Sequence, residues 1–318
     1  MASDPPERVA LLTGGAGFIG HHLARTLLSR GWRVVILDDL STGRRDNVPT
    51  HPRLRFLEGS ILEGDRLRDA LSGVDAVFHL AAQVSVPESV ANPARTEQIN
   101  VVGMRQLLGA ASDAGAGAVV FTSSCAVYGD PATLPVDEST PLAPMSPYAD
   151  SKRIGEELGY AAAAAGGPGF AALRLFNVYG PEQDAGGAYA AVIAAFASRA
   201  VAGTAPTIFG DGLQTRDFVY VEDVVAALIG VAEHVLAHGA AGPFNVGTGD
   251  SVSLIELWTA VAEITGADPA YELGPARDGD ILHSRSDPSA IEREVGWAAK
   301  MPLAAGLRRM LDPLENEG

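Results

Sequence analysis

The stretch VALLTGGAGFIG, residues 9–20, decides the fold. A short apolar run leads directly into glycines with the spacing G-x-x-G-x-x-G, at Gly14, Gly17 and Gly20, and a helical pattern follows. Glycine lets a backbone turn sharply and approach a pyrophosphate, whose charge the free N–H groups at a helix N-terminus can hold. A tight strand-to-helix turn without a ligand would also explain the glycines, so the surrounding sequence has to decide between the two.

A second apolar run, residues 33–38, ends in the carboxylate of Asp38, about 20 residues after the turn. A carboxylate has little structural reason to close an apolar strand. At this position Asp38 can accept both hydroxyl groups of an adenosine ribose, and it repels a 2′-phosphate. We therefore expect the cofactor to be NAD rather than NADP.

Apolar runs alternate with helical patterns throughout the first half of the chain. Strands are predicted over residues 9–13, 33–38, 54–58, 76–80, 118–123 and 171–176, and helices over residues 18–30, 65–71, 93–114 and 148–165. This alternation predicts an α/β fold with a Rossmann-type doubly wound parallel sheet.

After residue 177 the loops become longer and richer in Gly, Pro and Asp. Helices are predicted near residues 188–202, 221–236, 253–265 and 302–314. We expect an NAD-binding Rossmann domain over residues 1–177, with a return segment near residues 219–247. Residues 178–318 are expected to form a smaller α/β C-terminal lobe that mainly binds the substrate.

The composition limits the classes of function. The 318 residues carry 23 Lys and Arg against 39 Asp and Glu, a formal net charge of −16, which argues against a nucleic-acid partner. Cys125 is the single cysteine, so no internal disulfide can form; we expect it to be a small buried residue in a reducing compartment. No apolar run has the length of a membrane span and no metal-ligand spacing occurs. We therefore expect a cytoplasmic protein with no membrane partner and no metal.

Tyr148 and Lys152 form a Tyr-x-x-x-Lys pair at the start of a predicted helix. Residues four apart lie on one helix face, so the ammonium group can lie near the phenol. The fifth predicted strand ends just before Ser124, at the sheet edge where a doubly wound fold binds its ligands. Ser124 and Tyr148 can therefore converge on the nicotinamide of the cofactor.

Together these features resemble the extended short-chain dehydrogenase/reductase superfamily. Within it, the chain resembles the NAD-dependent nucleotide-sugar epimerase/dehydratase family, closest to the UDP-glucose and UDP-N-acetylglucosamine 4-epimerases. The resemblance covers nearly the whole chain. Besides the glycine turn and the Tyr-x-x-x-Lys pair, it is carried by HLAA at residues 79–82, TSSCAVYG at 122–129, NVYGP at 177–181 and TRDFVYV at 215–221.

The resemblance implies that the glycine turn, the loops after the strands and the tyrosine helix bind NAD. The implied cofactor-binding residues are Gly14, Gly17, Phe18, Ile19, Gly20, Asp38, Asp39, Ser41, Thr42, Gly43, Ser60, Ile61, Leu80, Ala81, Ala82, Asn100, Ser123, Tyr148, Lys152, Phe176 and Val178. Ser60 stands where the family usually has an aspartate near the adenine, which weakens one contact. His79 we expect to be a hydrogen-bonded structural residue.

The resemblance also implies that Ser124, Tyr148 and Lys152 are the catalytic residues. Tyr148 is then the base for a sugar hydroxyl, and Ser124 relays the proton. A tyrosine pKa of ~10 has to fall by about three units for work at pH 7, equivalent to ~4 kcal/mol. One positive charge ~5 Å away supplies roughly 3 kcal/mol at an effective dielectric constant of ~20. We therefore expect Tyr148 to be a strong base only when the charge of NAD⁺ adds to that of Lys152.

A UDP-sugar substrate follows from the same resemblance. The implied substrate-binding residues are Ser85, Ser124, Ala126, Tyr148, Asn177, Thr207, Phe209, Arg216, Arg277, Asp280 and Ser284. Arg216 and Arg277 match positions that clamp the diphosphate, since guanidinium groups bind phosphate oxygens in pairs. Phe209 matches a residue that stacks on the uracil. Ser284 replaces a bulky tyrosine of glucose-restricted relatives, so N-acetylated hexoses have room.

The segment Ser124-Cys125-Ala126 bears on the reaction. Relatives that dehydrate or decarboxylate the sugar carry acidic residues there, and this chain has none. We therefore expect simple 4-epimerisation of a UDP-hexose through a transient 4-keto intermediate. The alternatives are a dehydratase, a decarboxylase, a UDP-glucuronate 4-epimerase and a non-catalytic NAD-binding sensor. Glu182 and Asp184 would repel a uronate, and the family resemblance implies a homodimer joined by the helices near residues 93–114 and 148–165.

Overall fold

The glycine turn lies at the centre of a seven-stranded sheet. The computed structural model describes residues 7–184, 192–276 and 281–315, with side chains as far as residue 312. The strands, in chain order, are β1 (Val9–Thr13), β2 (Arg33–Asp38), β3 (Leu54–Glu58), β4 (Ala76–His79), β5 (Ala118–Ser124), β6 (Gly169–Leu175), β7 (Asn177–Tyr179), β8 (Thr207–Phe209), β9 (Thr215–Arg216), β10 (Phe218–Tyr220), β11 (Phe244–Val246), β12 (Val252–Ser253) and β13 (Glu272–Gly274).

The spatial order of the large sheet is β11-β6-β5-β4-β1-β2-β3. Strand β1 pairs in parallel with β2 and β4, and the pairs β2–β3 and β4–β5 are also parallel. The order 3-2-1-4-5-6 is that of the Rossmann fold, here extended by β11. The predicted doubly wound α/β fold is therefore confirmed.

Helices account for the other predicted segments. They are α1 (Phe18–Ser29), α2 (Gly64–Ala70), α3 (Val86–Ala91), α4 (Pro93–Thr96), α5 (Gly103–Asp113), α6 (Pro147–Ala164), α7 (Val192–Val201), α8 (Val221–His238), α9 (Leu254–Thr265), α10 (Ser289–Val295) and α11 (Leu303–Glu315). The helices predicted near the start and end of the chain have nearly the predicted bounds. The first residues of the helix predicted near 188–202 lie outside the described part of the chain.

The single helix predicted over residues 93–114 is wrong in detail. Between α4 and α5 the segment Glu97–Val102 has the wider winding of a π-helix. Such short π segments interrupt α-helices at places where a side chain is needed in an unusual position. Here the segment places Asn100, which is only 3% exposed, among other polar groups.

The chain divides into two compact units that interleave along the sequence. The first consists of residues 1–127, 144–174 and 225–244, and the second of residues 128–143, 175–224 and 245–318. The first unit is built on a core that includes Leu11, Val77, Val119 and Phe121, all buried in the strands. The predicted functional division at residue 177 is not tested by this partition and stays a prediction.

The second unit has its own apolar core. Strands β7 and β10 pair in parallel, as do β8 and β13, while β9 and β12 pair in antiparallel fashion. Helices α7 and α9 pack through Phe196 and Trp258, whose rings meet edge to face with centroids 5.5 Å apart. Over the residues that the structure describes, no helix is both long enough and apolar enough to span a membrane.

Candidate active site

The glycine turn forms a narrow backbone cradle. Gly14 has φ +71°, and a Cβ atom added to it would lie 2.7 Å from the backbone nitrogen of Ala81. A Cβ on Gly20 would lie 2.5 Å from the carbonyl oxygen of Gly14. Helix α1 begins after Gly17 without a side-chain cap, so no capping side chain takes up the N–H groups of its first turn. This cradle fits the backbone-bound pyrophosphate of a dinucleotide.

Asp38 closes β2 and is 7% exposed. Its two carboxylate oxygens accept hydrogen bonds from the backbone N–H groups of Ala16 and Leu40, each at 2.9 Å. Burial raises the pKa of Asp38, while the two backbone donors oppose that rise. The carboxylate therefore has a structural role that the sequence did not reveal, because it ties the glycine turn to the following loop. Each oxygen keeps a lone pair for a ribose hydroxyl.

Ser60 is engaged with its own loop. Its hydroxyl accepts a hydrogen bond from the N–H of Leu62 at 3.3 Å, and its N–H donates to Glu63 at 2.9 Å. The neighbouring Ile61 is buried, and a Cβ on Gly103 would lie 2.5 Å from its Cδ1 atom. The structure thus gives both predicted cofactor residues a local packing or turn role, and their contact with NAD stays a prediction.

His79 is a structural histidine, as predicted. It is 1% exposed, and its Nδ1 atom lies 2.7 Å from the hydroxyl of Thr13. Burial, with a smaller effect from Lys152, lowers the pKa of His79 to about 3, so the ring is neutral. The Thr13 hydroxyl also accepts from the N–H of Ala81 at 3.4 Å. These contacts fix the start of the loop Leu80-Ala81-Ala82 beside the glycine turn.

Asn100 ties two elements together. Its Oδ1 atom accepts from the N–H of Gln83 at 2.7 Å, and its Nδ2 atom donates to the carbonyl of Gln83 at 3.0 Å and to the hydroxyl of Ser151 at 2.9 Å. The amide donors are thereby used within the protein. Asn100 thus joins the loop after β4 to helix α6.

Ser124 and Tyr148 converge, as the sequence predicted. Tyr148 lies in the first turn of α6, where Ser146 caps the helix by accepting from the N–H of Ala149. The Tyr148 backbone N–H donates to the hydroxyl of Ser89 at 3.1 Å. Burial raises the pKa of Tyr148 to about 12, and a hydrogen bond from Ser124 opposes that rise. The phenol is therefore a weak acid until further positive charge reaches it.

Lys152 is 3% exposed, and its ammonium nitrogen lies 5.8 Å from the ring centre of Tyr148. Its ammonium nitrogen donates to the carbonyl oxygen of Thr122 at 2.8 Å and lies 4.8 Å from the ring centre of Phe121. Burial lowers the pKa of Lys152 to about 7, and Glu156 counteracts that fall. The lysine therefore holds its proton only marginally at neutral pH.

A buried ion pair next to Lys152 was missed by sequence reasoning. Arg174 on β6 donates to both carboxylate oxygens of Glu156, with the shortest distance 2.7 Å, and both side chains are 5% exposed. The Ser123 hydroxyl donates to Glu156 at 2.5 Å. Glu156 stands four residues after Lys152 on the same helix face, and this spacing is the signal that was available. The Ser123 hydroxyl is thus committed to Glu156, and the contact of Ser123 with the cofactor stays a prediction.

The segment after β5 carries no carboxylate. It forms a 3-10 helix over Cys125–Tyr128, and the Ser124 hydroxyl accepts from the N–H of Ala126 at 3.2 Å. Cys125 is partly exposed, which corrects the expectation of a buried residue, and its thiol contributes to raising the pKa of Tyr148. Ser85, in the loop between β4 and α3, caps α3 by accepting from the N–H of Glu88 at 3.2 Å.

The second unit is organised around Asp217, another residue missed by sequence reasoning. Asp217 is fully buried, and its carboxylate accepts five hydrogen bonds from backbone and hydroxyl groups. The donors are the N–H and hydroxyl of Thr248, the N–H of Gly249, and the N–H and hydroxyl of Ser286. Its backbone carbonyl accepts from the N–H of Asn177 at 2.9 Å and from the Asn177 side chain at 3.2 Å. The sequence did offer one signal, because Asp217 places a carboxylate between the strand residues Arg216 and Phe218 of the motif TRDFVYV.

Several predicted substrate residues surround this centre within the second unit. The Arg216 guanidinium donates to the carbonyl oxygens of Thr215 at 2.9 Å and Leu282 at 3.3 Å. The N–H of Ser284 donates to the carbonyl of Thr215 at 3.1 Å, so Ser284 lies on the segment beside β9. Arg277 and Asp280 fall outside the residues that the structure describes.

Strand β8 carries two predicted substrate residues, Thr207 and Phe209, of which Phe209 is predicted to stack on the uracil. Phe209 is half-buried and Thr207 is exposed. The Phe209 carbonyl accepts from the Gln214 side chain at 2.6 Å. Phe176, between β6 and β7, is buried and its N–H donates to the carbonyl of Val246 at 3.0 Å, while Val178 in β7 pairs with Val219 in β10.

A family model, curated proteins and solved structures all show similarity of this chain to nucleotide-sugar epimerases or their family. The model of the NAD dependent epimerase/dehydratase family matches residues 10–247. The UDP-glucose 4-epimerase of Mycolicibacterium smegmatis is 40% identical over 320 residues, with 96% of this chain and 98% of that protein covered. Similarity to solved structures also extends over almost the whole chain.

One similar solved structure is the UDP-N-acetylglucosamine 4-epimerase from Methanobrevibacter ruminantium M1 in complex with UDP-N-acetylmuramic acid. It is 34% identical, with a TM-score of 0.93, and 98% of this chain and 99% of that chain are covered. Another is the UDP-glucose 4-epimerase of Thermus thermophilus in complex with NAD, which is 35% identical with a TM-score of 0.87 over 98% of this chain and 100% of that chain.

Proposed function

Because this chain belongs to the NAD-dependent epimerase/dehydratase family, we propose that Tyr148 is the acid–base group of an NAD-dependent 4-epimerisation of a UDP-hexose. NAD is the cofactor, and a UDP-sugar is the substrate. The observation that carries the role of Tyr148 is its place beside Ser124, whose hydroxyl favours the phenolate, with the buried ammonium nitrogen of Lys152 5.8 Å from its ring centre.

The cofactor fits the glycine cradle and Asp38. We propose that the N–H groups at the start of α1 hold its pyrophosphate, because the helix carries no capping side chain there. Asp38 would accept the adenosine ribose hydroxyls with the lone pairs left free by Ala16 and Leu40. Its negative charge selects NAD over a cofactor with a 2′-phosphate.

The chemistry at C4 requires one proton acceptor, which later becomes the donor. We propose that the Tyr148 oxygen takes the proton of the C4 hydroxyl through the Ser124 hydroxyl. It returns the proton after the 4-keto sugar has rotated in the site to present its other face. When bound, NAD⁺ would supply the hydride acceptor for C4 and a positive charge that favours the Tyr148 phenolate. Lys152 adds its own charge from below.

Dehydration and decarboxylation are disfavoured by the segment after β5. Both reactions need an acidic side chain there, and the segment presents Ser124, Cys125 and Ala126. Of the next acids along the chain, Asp137 is exposed and bonds to its own turn. Glu138 is half-buried, and its carboxylate accepts from the N–H of Asn245 at 2.6 Å. Glu138 therefore serves the packing of the second unit.

For the substrate, we propose that Arg216 and Asn177 bind the diphosphate and that Phe209 stacks on the uracil. Asn177 donates to the backbone carbonyl of Asp217, and Arg216 directly precedes Asp217 in the chain. Ser284 is small and partly exposed, which supports acceptance of N-acetylated hexoses as well as unmodified ones. The roles of Arg277 and Asp280 rest on the sequence resemblance alone.

We also propose a homodimer in the cytoplasm. The proposal rests on the family resemblance, on the alanine-rich surface of α6, and on the presence of a single cysteine in 318 residues. Light scattering coupled to size-exclusion chromatography should give twice the chain mass of 32.9 kDa. A single chain mass at micromolar concentration would contradict the dimer.

Activity should be tested with the purified protein and UDP-glucose or UDP-N-acetylglucosamine, without added cofactor. NMR of the product mixture should show the C4 epimer, because the enzyme regenerates its NAD⁺ in every cycle. Formation of a 4-keto-6-deoxy sugar or of CO₂ would contradict the proposal in favour of a dehydratase or a decarboxylase. The Tyr148→Phe protein serves as the matched control.

A further inference from the structure

Helix α6 contacts the end of β5 at three successive strand residues. Each of these contacts uses a side chain of α6 one turn further along the helix. The pairs are Ser124 with Tyr148, Thr122 with Lys152 and Ser123 with Glu156. Two members of this series are the base and the lysine of the proposed reaction. The third, Glu156, has no role in that reaction.

Glu156 is held from two sides in a buried position. Arg174 binds both of its carboxylate oxygens from β6, and Ser123 donates to it at 2.5 Å. A buried ion pair adds little net stability, because the loss of hydration offsets the attraction between the charges. An apolar pair of the same size would pack this helix against this sheet equally well. The charges therefore call for another explanation.

The charge of Glu156 bears directly on Lys152. The two residues are four apart on α6, and Lys152 is buried in apolar surroundings that disfavour its ammonium form. The carboxylate raises the pKa of Lys152 against that effect. Lys152 can support the Tyr148 phenolate only while it keeps its proton. An acidic residue at this point therefore favours the charged form that the reaction needs.

We propose that Glu156, held by Arg174, is a positioning residue for the catalytic base: it anchors Ser123 at the end of β5 and keeps Lys152 in its ammonium form. This inference rests on the proposed function, because it assigns Glu156 to the same Tyr148 and Lys152. Glu156 acts through these neighbours rather than by contact with the substrate or the cofactor.

Other titratable groups face the same site. His79 on β4 is neutral because burial lowers its pKa to about 3. The Cys125 thiol after β5 disfavours the Tyr148 phenolate. Tyr160, on α6 beyond Glu156, stays protonated because burial raises its pKa. Glu156 is therefore the acid on α6 that acts directly on Lys152.

A matched pair of variants separates charge from packing. Glu156→Gln keeps an acceptor for Ser123 but removes the negative charge, while Arg174→Gln keeps a donor to Glu156 but removes the positive charge. Both break the same buried ion pair, so a merely structural role predicts the same change in both. Our proposal predicts that only Glu156→Gln weakens the ammonium form of Lys152. In Glu156→Gln, ionisation of Tyr148 should move to higher pH by about one unit or more, and in Arg174→Gln it should not.

The readout is the ultraviolet difference titration of Tyr148 in NAD-loaded protein, each variant measured against the same chain with Tyr148→Phe. The acid limb of the kcat/KM profile should move with it. A shift of equal sign in both variants, or no shift in Glu156→Gln, would overturn the proposal. If the wild-type protein converts no UDP-hexose, the proposed function fails, and the tyrosine titration still decides this inference.

A smaller change, Ser123→Ala, tests the same proposal if Glu156→Gln and Arg174→Gln fail to fold. Ser123→Ala removes one hydroxyl and leaves Glu156 and Arg174 paired. We expect kcat to fall roughly tenfold with KM changed less than twofold, because the end of β5 loses one of its three anchors on α6. Ser123→Thr retains a hydroxyl and should recover most of the loss. A wild-type kcat in Ser123→Ala would overturn the positioning role.

Discussion

The ammonium nitrogen of Lys152 lies 5.8 Å from the ring centre of Tyr148. Both side chains are perturbed by burial, the pKa of Lys152 falling to about 7 and that of Tyr148 rising to about 12. On raising the pH the lysine therefore loses its proton long before the tyrosine does. In the cofactor-free protein Lys152 has therefore already lost its proton at the high pH at which Tyr148 ionises. The sequence-based estimate that Lys152 alone is insufficient is thus strengthened by the structure.

Replacing Tyr148 by Phe should remove the proton acceptor and leave the fold. The hydroxyl accounts for the proton transfer, so we expect the turnover number to fall by about 10²–10⁴-fold, the usual share of general acid–base catalysis. Retention of NAD after gel filtration should be unchanged. Turnover equal to that of the wild-type protein would instead favour a non-catalytic NAD-binding sensor.

Replacing Lys152 by Met should change how stability depends on pH. The pKa of Lys152 is about 7 in the folded protein and near 10.5 in the unfolded chain, so the unfolded chain binds the extra proton between these values. The stability of the wild-type protein relative to Lys152→Met should therefore rise between pH 7 and 10.5, by up to about 1.4 kcal/mol per pH unit. Below pH 7 the difference should level off.

Urea unfolding of the NAD-free proteins at several pH values measures this difference. Other titrating groups are common to both proteins and cancel. A difference that stays constant between pH 7 and 10.5 would contradict the burial of a neutral lysine.

The doubly wound parallel sheet and the proximity of Ser124 to Tyr148 could be predicted, because they follow from local patterns. Apolar runs and glycine spacing define strands and turns over a few residues. The roles of Asp38 and Ser60 within their own loops could not be predicted, since a hydrogen bond to a backbone N–H leaves no mark in the sequence. The pairing of Glu156 with Arg174 could not be predicted either, because Glu156 lies on helix α6 and Arg174 on strand β6, and sequence spacing does not show which residues of two elements meet.

The π-helical segment around Asn100 escaped prediction for a similar reason. Its residues have ordinary helix-forming character, and only the buried contacts of Asn100 with Gln83 and Ser151 determine the wider winding. Short strands such as β9 and β12 have two residues each and no periodicity to detect. Tertiary contacts, rather than propensity, define these elements.

Replacing Asp38 by Asn should weaken NAD binding. Asn has one carbonyl oxygen in place of two carboxylate oxygens, so either Ala16 or Leu40 loses its acceptor, and the contact with the ribose loses its charge. We expect the Kd for NAD to rise by about 10- to 100-fold, in line with about 1.5–3 kcal/mol for a hydrogen bond to a charged group. Calorimetric titration of cofactor-stripped protein measures it.

The matched control for Asp38→Asn is Asp46→Asn, which makes the same charge change on an exposed residue of the following loop. It should leave the Kd for NAD unchanged. An equal loss of affinity in both variants would mean that net charge, and not the ribose contact, governs binding.

Replacing Gly20 by Ala should disrupt the cradle. The added Cβ would lie 2.5 Å from the Gly14 carbonyl oxygen and 2.6 Å from the Cα of Gly15, and backbone atoms cannot yield as a flexible side chain can. We expect a loss of about 2 kcal/mol or more in stability together with loss of NAD. Gly109→Ala, on α5 with open space around it, should instead stabilise the protein by about 0.5–1 kcal/mol. Thermal unfolding with and without NAD distinguishes the two.

Replacing Asp217 by Asn tests whether this carboxylate organises the second unit. Five donors converge on its two oxygens, from Thr248, Gly249 and Ser286, so an amide nitrogen in place of either oxygen would face a donor. We expect a loss of about 2–4 kcal/mol in the free energy of unfolding, the cost of buried polar groups left without partners.

Asp250→Asn, exposed and one residue beyond Gly249, is the control and should change stability by less than about 0.5 kcal/mol. Because Asn177 binds the backbone carbonyl of Asp217 and Arg216 precedes Asp217 in the chain, the KM for the UDP-sugar should also rise in Asp217→Asn, whereas NAD retention should not change. Equal stability of Asp217→Asn and Asp250→Asn in urea would show that Asp217 is not the organising centre of this unit.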